Sequence, residues 1–135
     1  MFPPYVDYKY GMPQSDLAGL YSAMDVFLAP SYGEGFGLGT IEAQACGTRV
    51  IGSNWGATPD LVADDGWLVD GQPMWDSGQD AIWQVPLIPS IVEALEQAYK
   101  ADRGASQVAI DFATEFDVDT VFDKHWVPVL KKLLK

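Results

Sequence analysis

The stretch VFLAPSYGEGFGLGTIEAQACGTRVIG, residues 26–52, decides the fold. It opens with an apolar run, Val26-Phe27-Leu28-Ala29, which Pro30 stops; such a run between helices reads as a strand buried on both faces of a parallel sheet. A glycine-rich turn follows. Thr40–Cys46 then reads as a helix closed by Gly47 at the position where a left-handed conformation is needed, and Arg49-Val50-Ile51-Gly52 as the next parallel strand. The chain is winding β-α-β, which places it in the α/β class with a parallel sheet flanked by helices.

Upstream, SDLAGLYSAM carries Leu17, Leu20, Tyr21 and Met24 at helical spacing, with Ser15 as the expected N-cap. Residues 1–14 hold Pro3, Pro4, Gly11 and Pro13 among several tyrosines and read as an irregular lead-in with one short strand around Tyr5–Tyr8. Downstream, Thr58-Pro59-Asp60 predicts a helix start with a hydroxyl cap, and Trp67-Leu68-Val69 a further strand. Residues 70–89 contain Gly71, Pro73, Gly78, Pro86 and Pro89 with Trp75 and Trp83, and read as an inserted loop whose length implies function or docking, its tryptophans pinning it to the sheet edge. Ser90-Ile91-Val92-Glu93 predicts a capping box for a helix carrying Ile91, Leu95, Ala98 and Tyr99. Residues 119–135 predict a C-terminal helix with Val121, Phe122, Trp126, Val129, Leu130 and Leu133 on one stripe and a kink at Pro128.

The length of 135 residues and the 48% hydrophobic content fit one globular domain. Three or four strands are few for a sheet covered on both faces, so either the chain is a trimmed piece of a larger domain or it completes its sheet against a partner chain or a second copy. A net charge of −11 argues against nucleic acid as a partner. One cysteine, no basic-then-apolar leader and no membrane-length apolar run point to a cytoplasmic protein, with peripheral contact at a membrane still open.

The chemistry lies in residues 30–43, between the carboxyl end of a strand and the start of a helix, where open α/β sheets bind their ligands. Four glycines, Gly33, Gly35, Gly37 and Gly39, let the backbone approach a ligand, and the helix start presents N–H donors and a positive dipole end. That suits a phosphate. Glu34 and Glu42 would repel a bare anion, so they need hydroxyls to accept from. A ligand with both phosphates and vicinal hydroxyls, as in a nucleotide sugar, resolves the conflict. Taken singly, Glu42 could merely complement the helix dipole, at about 0.3–1 kcal/mol, and Glu34 could be a solvated loop residue; taken with the glycines, a ligand site is the stronger reading.

The segment DLAGLYSAMDVFLAPSYGEGFGLGTIEAQACGTRVIGSN resembles the nucleotide-sugar half of the retaining family 4, or group 1, glycosyltransferases of the GT-B fold, whose signature is two glutamates with seven residues between them. Glu34 and Glu42 have that spacing, and Pro30-Ser31, Glu34–Leu38, Glu42-Ala43, Gly47 and Val50-Ile51 match the flanking pattern. The resemblance is firm over residues 16–70 and looser over 90–135. It implies a Rossmann-like domain, part of the C-terminal GT-B half. It also implies transfer of a sugar from a UDP- or GDP-linked donor to an acceptor hydroxyl on a glycan or lipid, with retention and without an obligatory metal or other cofactor. By the same resemblance Glu34 is the catalytic residue contacting the donor sugar. Gly35, Phe36, Gly37, Leu38, Gly39 and Thr40 shape the sugar and phosphate pocket, and Glu42 holds the ribose. The C-terminal helix would cross toward an N-terminal, acceptor-binding half.

Departures matter as well. The family's cationic residues that neutralise the diphosphate lie in earlier strands, with no matching segment before residue 16, so the chain alone is expected to bind donor weakly and to be inactive. Gly56-Ala57 and Asp60 stand where the family has paired glycines and a glutamate. Arg49 reads as structural, His125 as a packed or surface residue rather than a metal ligand, Cys46 as a small buried hydrophobe and Asp64-Asp65 as a turn. A degenerate, non-catalytic glycosyltransferase-like module acting in protein interaction is the alternative to an enzyme component. A dinucleotide-binding protein is disfavoured because the glycines lack G-x-G-x-x-G spacing.

Overall fold

The computed structural model describes residues 11–134. Three short strands, β1 (Phe27–Ala29), β2 (Val50–Ser53) and β3 (Trp67–Val69), form a parallel sheet in the order β1-β2-β3. Phe27 pairs with Val50 and Ile51 with Trp67. This is the α/β, Rossmann-like architecture that the β-α-β reading predicts. The central strand β2 is buried throughout, and alternate residues feed two cores. On one face Val50 meets Tyr21 from α1 (Gln14–Ser22) and Ala43 from α2 (Leu38–Ala45), with Leu17, Met24, Phe27, Cys46 and Val62 packed around them. On the other, Ile51 and Val69 meet Ala94 of α3 (Ile88–Lys100), together with Val26, Trp67, Ile91 and Ala98. Helices on both faces are what a parallel sheet requires.

Helix α2 ends as its sequence predicts. Gly47 has φ +81°, its N–H donates to the Gln44 carbonyl (2.8 Å), and the Thr48 N–H donates to the Ala43 carbonyl (2.9 Å), the two bonds of a Schellman ending. The chain then enters β2 through Arg49, whose Nε meets Asp65 at 2.8 Å while Nη1 donates to the carbonyls of Asp102 and Gly104. Arg49 is therefore a structural tie, and Asp65 is fixed by it and by the Ser106 hydroxyl. Ser106 also caps α4 (Gln107–Thr114) by accepting from the Ala109 N–H at 3.0 Å.

Several expectations are corrected. Residues 70–89 are not a loop: Gly71–Pro86 fold as an antiparallel hairpin of β4 (Gly71–Asp76) and β5 (Ala81–Pro86), with six residue pairs in register, and residues 88–89 already belong to α3. The turn residues Ser77–Asp80 fold back two strands whose tryptophans face opposite sides, Trp75 opposite Ile82 and Trp83 opposite Met74. Only Trp83 packs, and its partner is Tyr32 rather than the sheet edge; Trp75 is exposed. Ser15, Thr58 and Ser90 are not N-caps. Pro13 precedes α1, Thr58 begins a single 3-10 turn (Thr58–Leu61), and α3 starts two residues before Ser90. The Ser90 hydroxyl instead accepts from the Asp70 N–H at 3.0 Å, so tertiary contact outcompetes the local cap.

The C-terminal helix forms as α5 (Val118–Val121), a π-helical turn (Phe122–Trp126) and α6 (Val127–Leu133). The wider turn accommodates Pro128, which offers no N–H and would crowd the carbonyl one turn earlier. Its apolar stripe is not core: Phe122, Trp126, Val129, Leu130 and Leu133 are all exposed, as are Leu20, Leu95 and Tyr99 of α1 and α3. The strand expected around Tyr5–Tyr8 lies outside the described residues, as does Lys135. Among the described residues no helix is long and apolar enough to cross a membrane.

Candidate functional site

Strand β1 delivers the chain into the glycine segment at the carboxyl edge of the sheet. Gly37 takes φ +76°, a conformation that favours glycine, and turns the backbone directly into α2. No side chain caps this helix. The Thr40 N–H donates to the Gly37 carbonyl at 3.0 Å, which leaves the first two N–H groups, those of Leu38 and Gly39, with no cap, the arrangement that receives an anion.

Glu34, Gly37, Gly39 and Thr40 line one small cavity of about 90 Å³ together with Phe27, Ala29, Ser31 and Thr58. The Glu34 side chain folds back over Gly37, lying 3.7 Å from where a Cβ would stand there. A Cβ on Gly56 would come within 3.2 Å of the Glu34 carbonyl, so the loop after β2 backs the glutamate directly. Thr40 is buried, and the Ser31 hydroxyl is buried with no hydrogen-bond partner among the described residues. Gly52, beneath the site, admits the Thr58 methyl, which a Cβ would meet at 2.5 Å.

Glu42 faces elsewhere. One helical turn further on, it lines a separate cavity of about 430 Å³ with Gln14, Leu17, Tyr21 and Cys46, among others. Its carboxylate accepts the Tyr21 hydroxyl at 3.2 Å. Burial raises the Tyr21 phenol above its ordinary 10.0, and the hydrogen bond to Glu42 and the charge of that carboxylate raise it further. The two glutamates thus flank the helix start on different sides. Their spacing accounts for this, since seven intervening residues carry Glu42 past the Gly37 turn and around the helix surface.

The remaining predicted residues divide. Gly35 has open space around it, and Leu38 is exposed. Phe36 is half exposed and meets Phe116, beyond α4, edge-on at 5.9 Å. At Gly39 a Cβ would approach Tyr21 and Phe27 at 3.3 and 3.4 Å, so this glycine also serves the packing of α2 on β1. Sequence reasoning singled out neither Tyr21 nor Gln44 for the site. Gln44 is buried on α2, donates to the carbonyls of Thr40 and Leu61, and accepts from the Ala63 N–H at 2.7 Å, tying α2 to the 3-10 turn beneath the site. Its signal was a polar residue at a position where the helical pattern wants an apolar one. Ser31 and Thr58 stand in quoted motifs but were not assigned to the site. No lysine or arginine lines either cavity among the described residues, and none of them form a group of three or more potential metal ligands.

This is the ligand edge of an open α/β sheet with a glycine-rich turn and two acidic side chains. Residues 5–84 match the family model described as "Glycosyl transferases group 1". The chain belongs to that family. It is similar to the D-inositol 3-phosphate glycosyltransferases of Mycobacterium ulcerans, 36% identical over 84% of this chain and 24% of the relative, and of Mycolicibacterium smegmatis, 38% identical over 84% of this chain and 25% of the relative. The protein of that name from Corynebacterium jeikeium is 48% identical over 44% of this chain and 15% of its own length. The chain spans about a quarter of the length of the first two relatives.

Proposed function

We propose that this chain is the donor-binding part of a hexosyltransferase that takes a sugar from a nucleoside diphosphate, UDP- or GDP-linked, and passes it to an acceptor hydroxyl on a glycan or lipid with retention. The observation that carries this reading is the pair of glutamates on either side of an uncapped helix start. The helix amides receive the diphosphate, Glu42 accepts from the ribose diol, and Glu34 accepts from hydroxyls of the transferred sugar. Leaving-group charge is met by backbone amides aimed at the phosphate oxygens, so the reaction draws on electrostatic preorganisation and needs no metal. With no lysine or arginine lining either cavity among the described residues, the diphosphate is only partly neutralised there. Turnover then requires a further domain or chain that brings the acceptor, and the exposed C-terminal helix fits such docking. We place the reaction in the cytoplasm, against a membrane surface where the acceptor is a lipid.

Calorimetric titration with UDP-glucose and GDP-mannose tests the reading. One donor is expected to bind weakly, and Glu42→Gln to weaken it about tenfold, the worth of a charge-assisted hydrogen bond. Failure of the parent chain to bind either donor, or an unchanged affinity in the variant, overturns it.

A further inference from the structure

The β4–β5 hairpin has no part in the donor reading, yet it stands in the middle of the site's surroundings. It leaves the sheet at the carboxyl end of β3, the edge where the glycine segment leaves β1 and residues 54–57 leave β2. Three contacts hold it there. The Gln84 N–H, on the outer edge of β5, donates to the Tyr32 carbonyl at 2.9 Å. The Trp83 ring meets the Tyr32 ring edge-on, with centroids 6.0 Å apart. The Trp55 indole N–H donates to the Ile82 carbonyl at 3.3 Å.

Both receiving segments belong to Glu34. Tyr32 lies two residues before it, and Gly56, beside Trp55, backs its carbonyl. The root of the hairpin is equally fixed: the Leu87 N–H donates to the Asp70 carbonyl and the Asn54 amide to the Asp70 carboxylate, each at 2.9 Å. No hairpin residue lines the cavity of either glutamate; the hairpin reaches Glu34 through Tyr32 and the Trp55 loop that flank it.

The glycine segment needs such support. Residues 32–36 are exposed, and Gly33 and Gly35 meet nothing that would confine them. Left alone, a turn of this composition loses conformational entropy whenever it closes on a ligand. A strand edge clipped along it removes that cost in advance and holds Glu34 near its working position.

We propose that the hairpin is a latch on the glycine segment, with Trp83 as its positioning residue, and that it sets recognition of the sugar end of the donor while leaving the nucleotide end untouched. This deepens the donor-site reading and rests on it.

Titration of the parent chain, Trp83→Ala and Trp83→Phe with UDP-glucose and UDP, and with GDP-mannose and GDP, separates the two ends. For whichever pair binds, Trp83→Ala is expected to weaken the nucleotide sugar about fivefold while the bare diphosphate changes less than about twofold, and Trp83→Phe to restore most of the loss. Equal weakening of both ligands, or no change in their ratio, overturns the latch. Glu42→Gln run beside them keeps the two ideas apart. If it weakens both ligands while Trp83→Ala leaves their ratio alone, the donor reading stands and the latch falls. If the parent chain binds no ligand, or Glu42→Gln changes nothing, the donor reading falls and takes the latch with it.

Discussion

Tyr21 shows how one residue serves both core and site. Its ring is in the buried cluster with Ala43 and Val50 and meets Phe27 edge-on at 5.5 Å, while its hydroxyl reaches Glu42. Burial chiefly, and then the neighbouring carboxylate, hold its phenol above the ordinary 10.0. The folded state therefore keeps this proton more tightly than the unfolded chain does. The resulting stability is fully present below about pH 10 and is lost as pH rises through the raised value. Urea unfolding at about pH 9 and pH 11 should show a loss across that interval that Tyr21→Phe diminishes, with phenolate absorbance placing one tyrosine above the others. Gly47 is the second residue whose chemistry is forced: a Cβ there would stand 2.8 Å from that of Ala105, at φ +81°. Gly47→Ala is expected to cost about 2 kcal/mol in urea unfolding, through left-handed strain and overlap with the approach to α4.

At the scale of elements, legibility followed locality. The ending of α2 at Gly47 and the strands β1, β2 and β3 could be read because glycine, proline and short apolar runs act on their own neighbours. Of the three expected serine and threonine caps, Ser15 lies inside α1 and bonds the adjacent Asp16, Thr58 starts a 3-10 turn, and Ser90 binds a distant backbone instead, since the same hydroxyl can do either. At Ser90 the choice was made by Asp70, twenty residues away, a partner the local sequence does not reveal. The hairpin was missed because its glycines and prolines read as loop punctuation. Pro73 stands opposite Gln84, whose N–H points outward to Tyr32, so the proline interrupts no rung between the strands. The candidate site was legible as a segment but not as a shape. The spacing of Glu34 and Glu42 is in the sequence, whereas their placement in separate cavities depends on Tyr21 and on the loop around Gly56.

At the scale of the whole molecule, two apolar surfaces stand exposed among the described residues. One is the stripe Ile88, Val92, Leu95 and Tyr99 along α3; the other is the C-terminal helix. That helix region is also unlike the rest in charge, because Lys124, Lys131, Lys132 and Lys135 are half of the eight basic residues in a chain of net charge −11. A helix that buries none of its large side chains contributes little to the fold it is attached to. A chain ending at Asp117 is therefore expected to unfold at the same urea concentration as the full chain, to bind donor equally, and to take up less hydrophobic dye. A lowered midpoint would show that the helix supports the body after all.

By itself the sequence determined the α/β class, the parallel strands, the glycine turn into α2 and the two glutamates beside it. Each of these follows from backbone chemistry or from periodicity within a few residues. Tertiary structure alone decided that Tyr21 engages Glu42, that Gln44 ties α2 to the turn beneath the site, and that residues 71–86 form a hairpin seated on the Glu34 loop. Those arrangements join groups far apart in the chain. Burial makes each buried polar group take whichever partner the fold brings within reach.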